Sequence, residues 1–179
     1  MPTRTILTMT LFLVSAPIFA QSDLMPRAND AAAACPVTTP NGRGLPGEYR
    51  RGNHGNGISL ATSFSYDGKV TFMPGGPGCV DRDGSLWMKW PWWRGVPGQL
   101  AIEGHRRDKA AEPLRAFIPP YGPRGFQVTA LVFPAPGCWE VTGRMGEASL
   151  SFVVLVEEIG GGPTSPCPAL FPAAFRGKR

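Results

Sequence analysis

Apolar and polar residues alternate along much of the chain between residues 57 and 158. In the segment "ISLATSFSY", serine and alanine separate larger side chains at every second position, which are Ile58, Leu60, Thr62, Phe64 and Tyr66. Successive side chains of a β-strand point to opposite faces, so this pattern predicts a strand with one buried face. Similar short runs follow in "KVTFMP", "LWMKW", "QLAIEG", "PLRAFIP", "GFQVTALVF", "CWEVTGR" and "ASLSFVVLV". The last run is apolar on both faces, which predicts a strand covered on both sides.

The segments between these runs are rich in turn formers, and none has a helical period of helix length. The chain contains 23 Gly and 20 Pro residues, which favour turns over long helices. The dipeptide "DG" at 67–68 predicts a reversal from the first strand into "KVTFMP". A strict two-residue turn would place Val70 and Phe72 on the serine face, so we expect a longer loop or a bulge. The whole pattern predicts an all-β sandwich or barrel of about seven or eight strands over residues 57–158.

The N-terminal residues have the layout of a secretory signal peptide. Arg4 precedes the uncharged apolar run "ILTMTLFLVSAPIF", and "IFA" supplies a small residue for cleavage near Ala20. The run is shorter than the roughly 20 residues that a membrane-spanning helix needs. We therefore expect residues 1–20 to be removed and the protein to be secreted or periplasmic, with no transmembrane segment afterwards. An uncleaved anchor is the alternative, and lipidation of Cys35 is disfavoured because a charged segment separates it from the apolar run.

Two irregular arms flank the predicted strands, and each contains one cysteine. Residues 21–56 form the N-terminal arm and residues 159–179 form a Gly/Pro-rich C-terminal tail, neither of which has a sustained period. The four cysteines are Cys35, Cys79, Cys138 and Cys167. An even number of cysteines in an exported chain predicts disulfides, with three possible pairings. Free buried thiols and a zinc site are weaker alternatives, because no two cysteines have the close spacing of zinc ligands.

The region "FPAPGCWEVTGRMGEASLSFVVLV", residues 133–156, resembles the last two strands of immunoglobulin-like β-sandwiches, which implies an antiparallel β-sandwich fold. Gly137, Trp139 and Val141 occupy the glycine, aromatic and small apolar positions of that pattern. Antibody-type domains have a cysteine where this chain has Val141, so the resemblance implies an outward-facing Cys138 that pairs with a cysteine of an arm. The preferred pairing is Cys35 with Cys138, and then Cys79 with Cys167. The chain also resembles small exported bacterial proteins with "CPVT…PN" near the start and "PGCWEVT" near the end, a resemblance that implies no activity.

Charge and titratable residues give little support for catalysis. Loss of residues 1–20 would remove only Arg4, leaving 17 Lys/Arg against 13 Asp/Glu, a modest charge that favours anionic partners but not nucleic acid. His54 and His105 lie in "GNHGNG" and "EGHRRD", and the chain has no GxSxG motif. The candidate acids of a glycosidase are mostly turn residues; they are Asp81, Asp83, Glu103 and Asp108. A copper site at Cys138 and Met145 would lack nearby histidines. We expect no enzyme activity, no cofactor and no metal.

The segment "LWMKWPWWRG" at residues 86–95 contains four of the five tryptophans. Alternation assigns Leu86, Met88 and Trp90 to a buried face, and Pro91 is expected to end the strand because it cannot donate a ladder hydrogen bond. The candidate binding residues are those that this interpretation leaves outside the core, namely Trp87, Trp92, Trp93 and Arg94. Packing is the favoured role for the rings. An aromatic platform for sugars and an interfacial membrane contact are the alternatives.

These observations predict an exported, non-catalytic binding protein or structural component of the cell envelope. Its expected partners are a cell-envelope glycan or a protein. Two other functions stay open. The first is a carbohydrate-binding module that uses the tryptophans, and the second is an inhibitor of an extracellular hydrolase that inserts a turn, such as residues 91–98.

Overall fold

The computed structural model describes residues 35–44, 52–57, 59–81, 83–163 and Cys167. The predicted signal peptide and most of both arms lie outside these ranges. Within them the chain is all-β, and no helix is long and apolar enough to cross a membrane.

In the described residues, ten strands form two sheets. They are β1 (Asn53–Gly55), β2 (Leu60–Ser63), β3 (Lys69–Phe72), β4 (Cys79–Val80), β5 (Leu86–Arg94), β6 (Ala101–Arg106), β7 (Arg115–Phe117), β8 (Gly125–Phe133), β9 (Gly137–Met145) and β10 (Ala148–Glu158). The first sheet has the order β1-β2-β5-β8-β7, with β4 also paired to β5, and the second has the order β3-β10-β9-β6. Side chains from both sheets meet in one main core.

The predicted all-β class is confirmed, and every predicted strand segment overlaps an observed strand. The strand count differs, because β1 and β4 have only three and two residues and are too short to show an alternating pattern. β1 also lies in the stretch that was predicted to be irregular. The sheets are not wholly antiparallel, since β10 pairs with β3 in parallel.

The predicted reversal at "DG" does not form a hairpin. β2 belongs to the first sheet and β3 to the second, so the turn carries the chain from one sheet to the other. Asp67 stabilises this turn by accepting hydrogen bonds from the Ser65 hydroxyl and the Lys69 amide. Val70 and Phe72 therefore enter the core from the second sheet, where both are buried. A hairpin would have placed them on the face that carries the serines, and this conflict does not arise.

The main core is dominated by aromatic rings. Phe152 of β10 stacks on Phe64 at a centroid distance of 4.8 Å and on Trp90 at 5.7 Å. The fully buried Trp92 packs at a centroid distance of 6.0 Å from Phe152. Rings from both sheets therefore hold the two layers together through dispersion and apolar burial.

Gly143 of β9 makes room for one of these rings. A Cβ atom at this position would lie 2.6 Å from two ring carbons of Trp92. We expect Gly143→Ala to lower the free energy of unfolding by about 1–3 kcal/mol, because overpacking forces buried side chains to shift. Urea unfolding measures this change. The control Gly122→Ala, whose added Cβ meets nothing within 4 Å, should change stability by less than about 0.5 kcal/mol, and equal losses would refute the close packing at Gly143.

Both preferred disulfides are present. Cys35 and Cys138 are bonded on the outer face of the second sheet, where they pack with Val153 and Leu155. Cys79 and Cys167 are bonded on the outer face of the first sheet. The predicted outward orientation of Cys138 is confirmed, and β10 is covered on both faces as expected.

His54 makes stability depend on pH. Burial lowers the pKa of His54 below its ordinary value of 6.5, against an opposing backbone hydrogen bond at Ser151. The unfolded chain therefore binds a proton at a higher pH than the folded chain, so the free energy of unfolding should fall as the pH drops below about 6.5. We expect His54→Gln to flatten this slope in urea unfolding series at several pH values. The control His105→Gln, which changes an exposed histidine, should keep the slope, and an unchanged slope in His54→Gln would contradict the assignment.

Candidate binding groove at Arg94

The prediction that Pro91 ends its strand is wrong, because β5 continues for nine residues from Leu86 to Arg94. β8 pairs along the whole of one edge of β5, whereas the other edge is shared by β4 at Leu86–Trp87 and by β2 at Trp92–Arg94. The carbonyl of Pro91 accepts a hydrogen bond from the Thr62 hydroxyl of β2 at 2.7 Å. Because the amide and carbonyl of one strand residue point to the same side, the missing N–H of Pro91 also faces this edge. The ladder to β8 therefore needs no donor from Pro91.

The continued strand determines where the tryptophans lie. Trp90 and Trp92 both face the main core, and Trp87 is buried on the other face beneath the Cys79–Cys167 disulfide. Trp87 and Trp92 are 1% and 0% exposed. The expectation that these two residues could form an exposed platform is therefore wrong, and the favoured packing role is confirmed for both. Trp93 is half-buried on the outer face of the first sheet, opposite Phe126 in register.

Arg94 takes the next position on the core-facing side of β5 and is only 2% exposed. Its Nη2 donates to the carbonyl of Gly122 at 2.6 Å and to that of Arg124 at 3.4 Å. Its Nε has no hydrogen-bond partner in the described part of the chain. Among the ion pairs of the described residues, none includes Arg94. A buried cation without a counterion is costly, because desolvation is not offset by attraction to a negative charge.

Gln127 of β8 is the second buried polar residue at this place. Trp92 pairs with Gln127 and Arg94 pairs with Gly125, so Arg94 and Gln127 are diagonal neighbours on one face of the sheet. Gln127 is 2% exposed, and its Nε2 donates to the Pro119 carbonyl at 2.8 Å. Its Oε1 has no hydrogen-bond partner within the described ranges.

Arg94 and Gln127 line a groove with a volume of about 510 Å³. The other lining residues come from the segment before β6 and the loop between β7 and β8; they are Gly98, Gln99, Leu100, Ile118, Pro119, Pro120, Tyr121 and Pro123. The volume lies within the usual range of small-molecule sites. Among the described lining residues there are one cation, no carboxylate and several apolar side chains, so the groove is suited to an anionic group attached to an apolar or ring-shaped body.

The residues considered for catalysis lie apart from this groove. His54 is in β1 and packs against Phe64 and Phe152, whereas His105 is in β6, 3.7 Å from the Glu140 carboxylate. The hydrogen bond from Arg106 lowers the pKa of Asp108, which is an ion-pair partner. No group of three His, Cys, Asp or Glu side chains in the described ranges is placed to hold a metal ion.

Sequence reasoning proposed Arg94 as a binding residue but missed Gln127. Alternation in "GFQVTALVF" favours a buried face with Phe126, Val128, Ala130 and Val132. The main core instead lies against the opposite face of β8, which carries Gln127, Thr129, Leu131 and Phe133. Both faces of this strand are rich in apolar residues, so its pattern gave no signal for the orientation of Gln127.

Comparison with known protein families, curated proteins and solved structures finds no match for this chain. Inference about its function therefore depends on the geometry and chemistry of the groove.

Proposed function

We propose that this chain is an exported, non-catalytic binding protein that holds its ligand in the groove at Arg94. One observation carries the proposal. Arg94 is a 2%-exposed cation, has no carboxylate partner among the described residues, and lines a groove of about 510 Å³. A ligand that brings a negative charge would compensate the desolvation of this guanidinium, so binding and stability are coupled at this position.

The compartment and the finer fold belong to the same proposal. Two disulfides fit an oxidising environment outside the cytoplasm, consistent with a secreted or periplasmic protein. The antiparallel pairing of β9 with β10, with Trp139 and Val141 in the core, supports an immunoglobulin-like arrangement of the sandwich. A cell-envelope glycan or protein that presents an acidic group is the partner that we propose.

Binding is favoured over catalysis by the composition of the groove. The described lining residues include no Ser, Cys, His, Asp or Glu, so they offer neither the usual nucleophiles nor a carboxylate or imidazole base. Each of the two alternative functions loses one feature that favoured it. The sugar platform needs exposed rings, but Trp87 and Trp92 are buried. The inhibitory turn at residues 91–98 begins inside β5, since the strand continues to Arg94.

A fragment screen by two-dimensional NMR tests the proposal. Pools of small anionic, neutral and cationic compounds would be added to ¹⁵N-labelled protein, and backbone amide shifts would be mapped onto the chain. We expect at least one pool to shift the amides of Leu100, Tyr121 and Gln127 most strongly, and Arg94→Met to abolish this response. The control Arg144→Met removes an exposed guanidinium that pairs with Glu103 and should respond like the parent. Shifts confined to other surfaces, or none from any pool, would contradict the proposal.

A further inference from the structure

We infer that the ligand of the Arg94 groove is a monocarboxylate that has a hydrogen-bond donor next to its carboxylate. This inference rests on the proposed function and names the class of compound that the groove accepts. Free carboxylic acids and the carboxyl ends of peptides share this chemistry, and the experiment below separates them.

The charge of the ligand follows from Arg94. Its guanidinium is the only charged group among the described lining residues, and no described carboxylate forms an ion pair with it. The Gly122 and Arg124 carbonyls already occupy Nη2, so only part of the guanidinium is left for a ligand. One partly occupied guanidinium matches the single negative charge of a carboxylate better than the two charges of a phosphate dianion.

The neighbouring donor follows from Gln127. Its Nε2 is engaged by the Pro119 carbonyl, which fixes the amide so that Oε1 is the group left without a described partner. A buried amide oxygen accepts hydrogen bonds and is costly to leave unsatisfied. Arg94 and Gln127 are diagonal neighbours on adjacent strands and line the same groove, so a ligand that satisfies both needs an anionic oxygen for Arg94 and an N–H or O–H close to it for Gln127.

The other lining residues determine what the uncharged part of the ligand can be. Leu100, Ile118 and the half-exposed Tyr121 contribute apolar surface, and three prolines stiffen the loop before β8. Proline restricts backbone freedom, so this wall loses little conformational entropy when a ligand binds. A small alkyl group or a sugar ring fits this environment better than a second charged group.

Affinities of matched probes test the inference. We would titrate the protein with N-acetylalanine, glucuronate, propionate, N-acetylalaninamide and inorganic phosphate, following the backbone amides of Leu100 and Tyr121 in the groove lining by NMR. N-acetylalanine and glucuronate combine a carboxylate with a donor, propionate lacks the donor, and the amide lacks the charge. We expect the better of the first two to bind about tenfold more tightly than propionate or N-acetylalaninamide. Stronger binding of N-acetylalanine would indicate a peptide terminus, and stronger binding of glucuronate a sugar acid.

Two variants keep the result interpretable. Arg94→Lys retains the charge and should retain part of the affinity, whereas Gln127→Leu should remove the advantage over propionate and keep the advantage over N-acetylalaninamide. Equal binding of N-acetylalanine and its amide, or tighter binding of phosphate, would overturn the inference while the groove remained a binding site. Failure of every compound in the fragment screen would instead remove the proposed function itself.

Discussion

Trp92→Ala is expected to lower the free energy of unfolding by about 3–5 kcal/mol, as measured by urea unfolding. Trp92 is 0% exposed and lies in the main core, between Phe152 and Gly143. Its removal would leave a large cavity between the two sheets, because the stacked rings around it cannot all collapse into the space. The loss would be a large fraction of the stability of a domain of this size.

Trp93→Ala is the matched control for this prediction. It removes the same side chain from the next position of β5, but Trp93 is half-buried on the outer face of the sheet. We expect less than half the loss that Trp92→Ala causes. Equal losses, or a larger one for Trp93→Ala, would mean that β5 does not alternate through Pro91 as described.

Removal of the Cys35–Cys138 disulfide is expected to cost about 2–5 kcal/mol. The bond joins residues that are 103 positions apart, so it strongly restricts the unfolded chain. It also holds Val37 and Cys35 against Val153 and Leu155 on the outer face of the second sheet. Thermal and urea unfolding of the double variant Cys35→Ala/Cys138→Ala measures the loss.

The second disulfide provides the comparison. Cys79–Cys167 closes a similar separation of 88 residues, so the restriction of the unfolded chain predicts nearly the same loss for Cys79→Ala/Cys167→Ala. A reducing agent should destabilise the parent and leave a variant that lacks all four cysteines unaffected. A loss below about 1 kcal/mol for Cys35→Ala/Cys138→Ala would show that this bond is not formed or does not restrain the chain.

Much of the fold was predictable because a strand with one buried face shows alternating apolar and polar residues within its own sequence. Alternation within "ISLATSFSY" and "CWEVTGR" identified β2 and β9, and the resemblance at residues 133–156 implied the outward Cys138 that bonds to Cys35. The partners of strands are not local. The "DG" turn at 67–68 looks like a hairpin turn, but the strands on its two sides join different sheets.

Pro91 shows why a sound local rule failed. Proline removes a ladder donor, which usually ends a strand, but here the missing donor faces an edge where the Thr62 hydroxyl bonds to the Pro91 carbonyl. Whether a strand tolerates a proline depends on which neighbouring strand the missing N–H would face. The sequence alone does not show this direction. Trp92 and Arg94 consequently face inward, whereas the sequence placed them in a turn.

The candidate site was less predictable than the fold. Arg94 was identified as a binding residue for its place beside the tryptophans, but its relevance comes from burial without a counterion in the described part of the chain. Gln127 and the loop at Pro119–Pro123 reach the groove only because β5 pairs with β8. A site that is assembled from residues this far apart in sequence has no short motif by which it can be recognised.

The Nε–Hε resonance of Arg94 tests the central claim most directly. In ¹⁵N-labelled protein, this resonance can be assigned by its absence in Arg94→Met and followed during a titration with N-acetylalanine. We predict slow exchange of Hε with water because Arg94 is 2% exposed, and a saturable shift as the carboxylate binds. A rapidly exchanging Hε, or one that does not respond while other resonances saturate, would contradict the claim that the Arg94 guanidinium is buried and binds an anionic ligand.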